Sequence, residues 1–112
     1  MIILIGSFEM ESGQADALKS AMTALSTASR KDKGCVMYSW NISAENENIV
    51  RLLEVWENEE TLKAHLELPH VGVFVEVFVT AKVKRHKINI FDADNMRALG
   101  VEFPFPEAPA IW

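Results

Sequence analysis

The stretch "HVGVFVEVFVTAKV", residues 70–83, decides the fold, because it satisfies two incompatible periodicities at once. Val71, Val73, Val75, Val77 and Val79 alternate with other residues, which is the period-two signature of a strand rich in β-branched side chains. Phe74, Val77, Phe78 and Ala81 fall at i, i+3, i+4 and i+7, which is one stripe of a helix. Periodicity alone leaves both assignments open. If the run is a helix, the whole chain reads β-α-β-β-α-β, a ferredoxin-like α+β fold; if it is a strand, that order breaks.

The flanking segments are less ambiguous. Met1 to Glu9 is an apolar run closed by polar residues and predicts a strand. In the segment that follows, Leu18, Ala21, Met22, Leu25 and Ala28 form a helical stripe. Ser12 is placed to cap that helix, and Arg30, Lys31 and Lys33 favour its negative end before Gly34. "CVMYSWNIS" (35–43) and "IVRLLEVWE" (49–57) predict a hairpin joined by the polar "AENEN". Asn58 is a good N-cap for a short helix over "NEETLKAHLEL" that ends near Pro69, and "HKINIFDAD" (86–94) predicts the last strand.

The strands lack the alternation expected of an antiparallel sheet with one wet face. Ile2 and Leu4 oppose Ile3 and Ile5, while Val50, Leu52 and Trp56 oppose Ile49, Leu53 and Val55. Both faces therefore require cover. Two helices supply one cover, and a second copy of the chain is the simplest source of the other. At 112 residues the chain is expected to form one domain over 1–93, followed by a proline-broken tail over 94–112. The tail's Phe103, Phe105, Ile111 and Trp112 are expected to pack on the partner subunit or on a pocket rim.

A net charge of −5 repels phosphate backbones, and the only basic cluster, "KVKRHK" (82–87), is short. Nucleic acid is not an expected partner. Neither is a membrane, since the apolar opening is too short to span one and lacks a signal-peptide pattern. Cys35, without a second cysteine, points to a reducing, cytoplasmic setting.

Two blocks carry a resemblance. "GCVMYSWNI" supplies Gly34, Cys35 and Tyr38; "VWENEETLKAHLELPHVGVF" supplies Trp56, Glu57, Ala64, His65, Leu66, Pro69 and His70. In these residues the first ninety or so positions resemble the antibiotic biosynthesis monooxygenase family of dimeric α+β barrel proteins. The resemblance implies a helix after Pro-His, hence helix for about 71–81. It also implies an antiparallel four-stranded sheet with helices on one face, a homodimer, and a pocket between helices and sheet in each subunit. Some members of the family oxidise quinols, anthrones or related polycyclic phenols with molecular oxygen and no metal or organic cofactor. Others degrade haem, and many have no demonstrated activity. The haem-degrading branch relies on an Asn in the first strand, a Trp on the following helix and a later His. Here Ser7, His65 and Val75 stand near those positions, which counts against haem.

The expected chemistry is correspondingly simple. His65 is the expected base, a neutral imidazole that takes a proton from a phenol. Trp56 is the expected wall against a flat substrate, and Tyr38 the expected hydrogen-bonding hydroxyl. Ser7, Trp40, His70 and Phe74 are the expected substrate-binding residues. For each, ordinary packing is the competing role. No metal is expected, because His65 and His70 are five positions apart with Pro69 between them, a spacing that separates them around a helix. Glu9, Glu54, Glu57 and Glu59 show no pairing and are expected mostly on solvated faces. No cofactor motif is present, so none is expected. The alternative function is a non-catalytic dimeric module that binds a small apolar ligand.

Overall fold

A computed structural model describes residues 1–109 of the chain. Along it run β1 (Ile2–Met10), α1 (Gln14–Ala17), α2 (Lys19–Ser29), β2 (Cys35–Ile42), β3 (Ile49–Trp56), α3 (Glu59–Leu66), α4 (Pro69–Thr80) and β4 (Val83–Asp92). The decisive stretch is helical. Pro69 sits in its first turn, where a missing N–H is harmless. Val71 and Phe74 are buried, while Val73, Val75, Val77 and Val79 point outward with 41–71% of their surface exposed. Burial of one apolar stripe outweighs the β-propensity of the valines.

The first helical segment comes in two pieces that meet at Leu18, whose backbone stays right-handed. Its predicted cap is corrected: Gly13, in a left-handed conformation, occupies the N-cap, and no side chain bonds there. Asn58 caps α3 as its side chain predicts, accepting from the Thr61 N–H at 2.9 Å. Gly34 ends the turn after α2 with φ +80°, and a Cβ on it would lie 2.5 Å from the Thr61 side chain. A glycine is required there on both counts, and β2 meets the start of α3 closely for that reason.

The four strands pair antiparallel in the order β2-β3-β1-β4, a ferredoxin-like α+β fold with its helices on one face. On the helical face lie Ile2, Leu4, Phe8, Tyr38, Val50, Leu52 and Trp56, all buried with Met22, Leu25, Leu62 and Phe74. Register pairs Ile3 with Val55 and Phe91, and Ile5 with Leu53, on the opposite face. Ser7, paired with Arg51 and Lys87, lies on that opposite face too. Residues 94–109 form no helix or strand, and Phe103 and Phe105 are exposed. Ile111 and Trp112, expected to dock with the tail, lie outside the described residues.

Candidate functional site

The hairpin β2-β3 and the α3-α4 break build the site together. Alternation along β3 turns Val50, Leu52, Glu54 and Trp56 toward the helices. Glu54 is therefore buried, at 3% exposure, rather than on the solvated face expected for it. Its Oε1 accepts the Trp56 indole N–H at 2.8 Å, which satisfies both groups inside the core. His65, in the last turn of α3, lies over Trp56 with ring centroids 4.5 Å apart and beside Tyr38 at 5.4 Å.

The expected separation of the two histidines is corrected by the chain path. Between α3 and α4 the backbone leaves helical geometry at Leu68, which is extended. That break redirects His70, so its ring centroid comes within 5.9 Å of His65. Asp32, in the turn after α2, joins them: its Oδ2 lies 2.8 Å from His65 Nδ1 and 2.7 Å from His70 Nε2. One carboxylate oxygen thus accepts from two imidazoles. Both tautomers follow from this partner, with the proton on Nδ1 of His65 and on Nε2 of His70.

Burial holds the His65 imidazole below its ordinary pKa, against the opposing pull of Asp32. His65 is therefore neutral at pH 7, and the 3.8 Å approach of its Nε2 to Glu54 Oε1 is not an ion pair. Burial raises the Glu54 carboxyl to about 7, opposed by the Trp56 hydrogen bond. The Tyr38 phenol is pushed well above its usual value, first by burial and then by the Glu54 charge, so it is a hydrogen-bonding group and not a phenolate. Burial also drives the Cys35 thiol up to about 11, which makes it an inert core residue.

Tyr38, Trp56 and His65 converge, but on each other: none exposes more than 2% of its surface. Open space begins one layer out. An apolar cleft of about 210 Å³ between α2 and α4 is lined by Ala21, Ala24, Leu25, His70, Val73, Phe74 and Val77. A second cleft, of about 390 Å³, is bounded by α2 and by Trp40 of β2. Trp40 and Phe74 meet between these openings as a tilted pair, ring centroids 5.0 Å apart, so Trp40, His70 and Phe74 share one region. Ser7 does not join them, lying across the sheet in a cleft with Arg51, Arg85 and Lys87. Asp32 was missed because it sits in the charged run "RKDKG", where nothing in the sequence marks it. Glu54 was legible in principle, since it shares the parity of Val50, Leu52 and Trp56.

Fold and site define a small ferredoxin-like protein whose helical layer holds an apolar cleft beside an imidazole–carboxylate cluster anchored in the core at His65. Residues 1–77 match the model of the antibiotic biosynthesis monooxygenase family, and the chain belongs to that family. Among solved structures it resembles a Deinococcus radiodurans protein assigned to the antibiotic biosynthesis monooxygenases, with TM-score 0.78 and 22% identity over 88% of this chain and 98% of that one. It also resembles Rv0793 of Mycobacterium tuberculosis, with TM-score 0.76 and 18% identity over 87% of this chain and 98% of that one. Identities this low speak for the fold alone. The protein sll1783 of Synechocystis is 24% identical over 90 residues, covering 80% of this chain but only 61% of the relative's length.

Proposed function

We propose that the protein is a homodimeric, cofactor-independent monooxygenase that oxidises a quinol, anthrone or similar polycyclic phenol with O2. The single observation that carries this is the setting of His70. It is an imidazole on the wall of an otherwise apolar cleft, backed through Asp32 by a second, buried imidazole. A flat phenol in that cleft would lie against Phe74, with Trp40 beyond it. His70, already anchored to Asp32, orients the phenolic oxygen and assists its deprotonation. The phenolate is then the electron donor to O2. For an anthrone, the reactive CH2 carbon gains one oxygen atom as a carbonyl, and the second oxygen leaves as water with the two hydrogens lost. His65, placed behind Asp32, holds the carboxylate and thereby His70, so its role is positioning rather than contact.

Oxygen uptake by chelator-treated protein on a panel of hydroquinones and anthrones tests this. Turnover is expected, with His70→Ala lowering it by about 100-fold or more, in the range of a lost acid–base group, and His65→Ala, which removes only its positioning, lowering it less. No oxygen consumption on any member of the panel would sink the catalytic role. One observation favours a second reading, a dimeric module that binds a small apolar ligand: Tyr38, Trp56 and His65 are packed against one another and leave little reactive surface. The panel separates the two, because a binding module would bind the phenols without consuming oxygen. A reducing compartment such as the cytoplasm fits the buried, unreactive Cys35, and no helix among the described residues is long and apolar enough to cross a membrane. We further propose that the tail from residue 94 to residue 109 packs on the partner subunit beside the clefts.

A further inference from the structure

The Asp32 cluster has the composition of a metal site as well as of a hydrogen-bond network. The ligand atoms of Asp32, His65 and His70 all lie within 4.8 Å of one another. Two imidazole nitrogens and a carboxylate oxygen are the donor set that zinc and its neighbours in the transition series accept. Calcium and magnesium, which ask for oxygen ligands, are poorly matched. Two nitrogens bound to one tetrahedral ion at ~2.1 Å stand about 3.4 Å apart, so closure asks for a movement of roughly one ångström. His70 can make that movement. Its side chain is 28% exposed, while those of His65 and Asp32 are 1% and 11% exposed.

A second layer is already built behind the buried ligand. A metal-binding imidazole normally donates its other ring N–H to a carboxylate, which fixes the tautomer. If His65 binds through Nδ1, its proton moves to Nε2, and Nε2 faces Glu54 Oε1 at 3.8 Å. Glu54 is itself held by the Trp56 indole. The line Trp56–Glu54–His65–ion thus has the order of a ligand with its support, inside a core that fixes every member but the last. Charges also balance, since the two carboxylates offset a divalent ion.

We propose that Asp32, His65 and His70 form a binding site for a zinc-class divalent cation, with Glu54 supporting His65 from behind. No electron is transferred: the ion takes the ring lone pairs, and each imidazole proton relocates to its other nitrogen. The one remaining position of the four-coordinate ion is filled by water. Binding does not depend on the oxygenase role, and it has a consequence for that role. An ion on His70 Nε2 breaks the hydrogen bond to Asp32, so zinc inhibits turnover.

The test uses the full chain, stripped with chelator and titrated with Co2+ by visible absorption and with Zn2+ by calorimetry. One ion per chain is expected, with the intense visible bands of a four-coordinate cobalt site and a raised thermal midpoint. Asp32→Asn and His70→Ala should each weaken binding at least 10-fold, while His86→Ala, which alters an exposed histidine elsewhere, should not. Circular dichroism of the two variants establishes that they are folded; His70→Ala, at a position partly open to solvent, is the one expected to keep the native spectrum without change. Absence of a one-to-one cobalt complex, affinity unchanged in His70→Ala, or binding lost in His86→Ala would each overturn the site. Because these readouts need no substrate, a protein that binds cobalt but consumes no oxygen keeps the metal site and loses the oxygenase, and the reverse result does the opposite.

Discussion

Glu54 is the residue at which burial and charge conflict most directly. Its carboxyl, at 3% exposure, titrates near pH 7 in the folded chain, against an ordinary value of 4.5. The native state therefore binds more protons than the unfolded state between those two pH values, and stability must fall as pH rises through that window. Above it the full penalty applies, about 3 kcal/mol by linkage. Glu54→Gln keeps an acceptor for the Trp56 indole and removes the charge. In chelator-treated protein, the variant is expected to match the parent near pH 4.5 and to be more stable above pH 7. Urea unfolding at the two pH values measures this, and parallel curves for parent and variant would contradict it. The same residue shows what sequence could and could not convey. Parity along "VRLLEVW" places Glu54 with Leu52 and Trp56 on the covered face, so its burial was available to a strict period-two count. Asp32 offered no such handle, because a turn residue has no period, and only the tertiary meeting of three loops and helix ends brings it to the histidines.

At the scale of elements, α4 is the instructive case. Its sequence is compatible with a strand, and what makes it a helix is non-local: Phe74 and Phe78 interlock with Trp40 and Phe8 across the sheet, at centroid separations of 4.9–5.7 Å. Family resemblance resolved what periodicity could not, since propensity contains no term for a partner on another strand. The asymmetry of the helix is directly measurable. Phe74→Ala removes a buried ring from that aromatic group and should cost about 3–5 kcal/mol. Val79, with 71% of its surface exposed, should accept lysine within about 0.5 kcal/mol in the isolated subunit. Thermal or urea unfolding of the two variants distinguishes the assignments, since a strand would bury alternate valines and make Val79→Lys the damaging change. The break between α3 and α4 belongs to this scale as well. Pro69 was legible as the end of one helix, yet its role as the first residue of the next is what swings His70 back toward Asp32.

For the whole molecule, the uncovered sheet face is the dominant fact. Ile3, Leu53 and Val55 are only partly covered, and Ile5, Met37 and Phe91 expose 44%, 37% and 50% of their surface. Along the same strands toward the other end, the face turns polar through Ser7, Glu9, Arg51, Arg85 and Lys87, with Arg85 bonded to Glu9 at 3.2 Å. A second copy laid apolar half to apolar half would bury the first set and leave the charged set at a rim, the usual anatomy of an interface. Four strands of about eight residues present roughly 500 Å² of flat sheet. Stable interfaces bury about 800 Å² on each partner, so the sheet alone falls short and a further element has to contribute. The tail is the available one, with Phe103 and Phe105 exposed at 63% and 72% next to no partner within the described residues of their own chain. Light scattering at micromolar concentration is expected to return twice the 12.6 kDa chain mass. Ile5→Lys, which sets a charge at the centre of the apolar half, should shift the protein to single chains, and truncation after residue 93 should weaken the dimer while leaving the circular dichroism of the sheet intact. A stable monomer formed by the unaltered chain would remove the reason for two apolar sheet faces, and with it the sheltered setting on which the catalytic proposal depends.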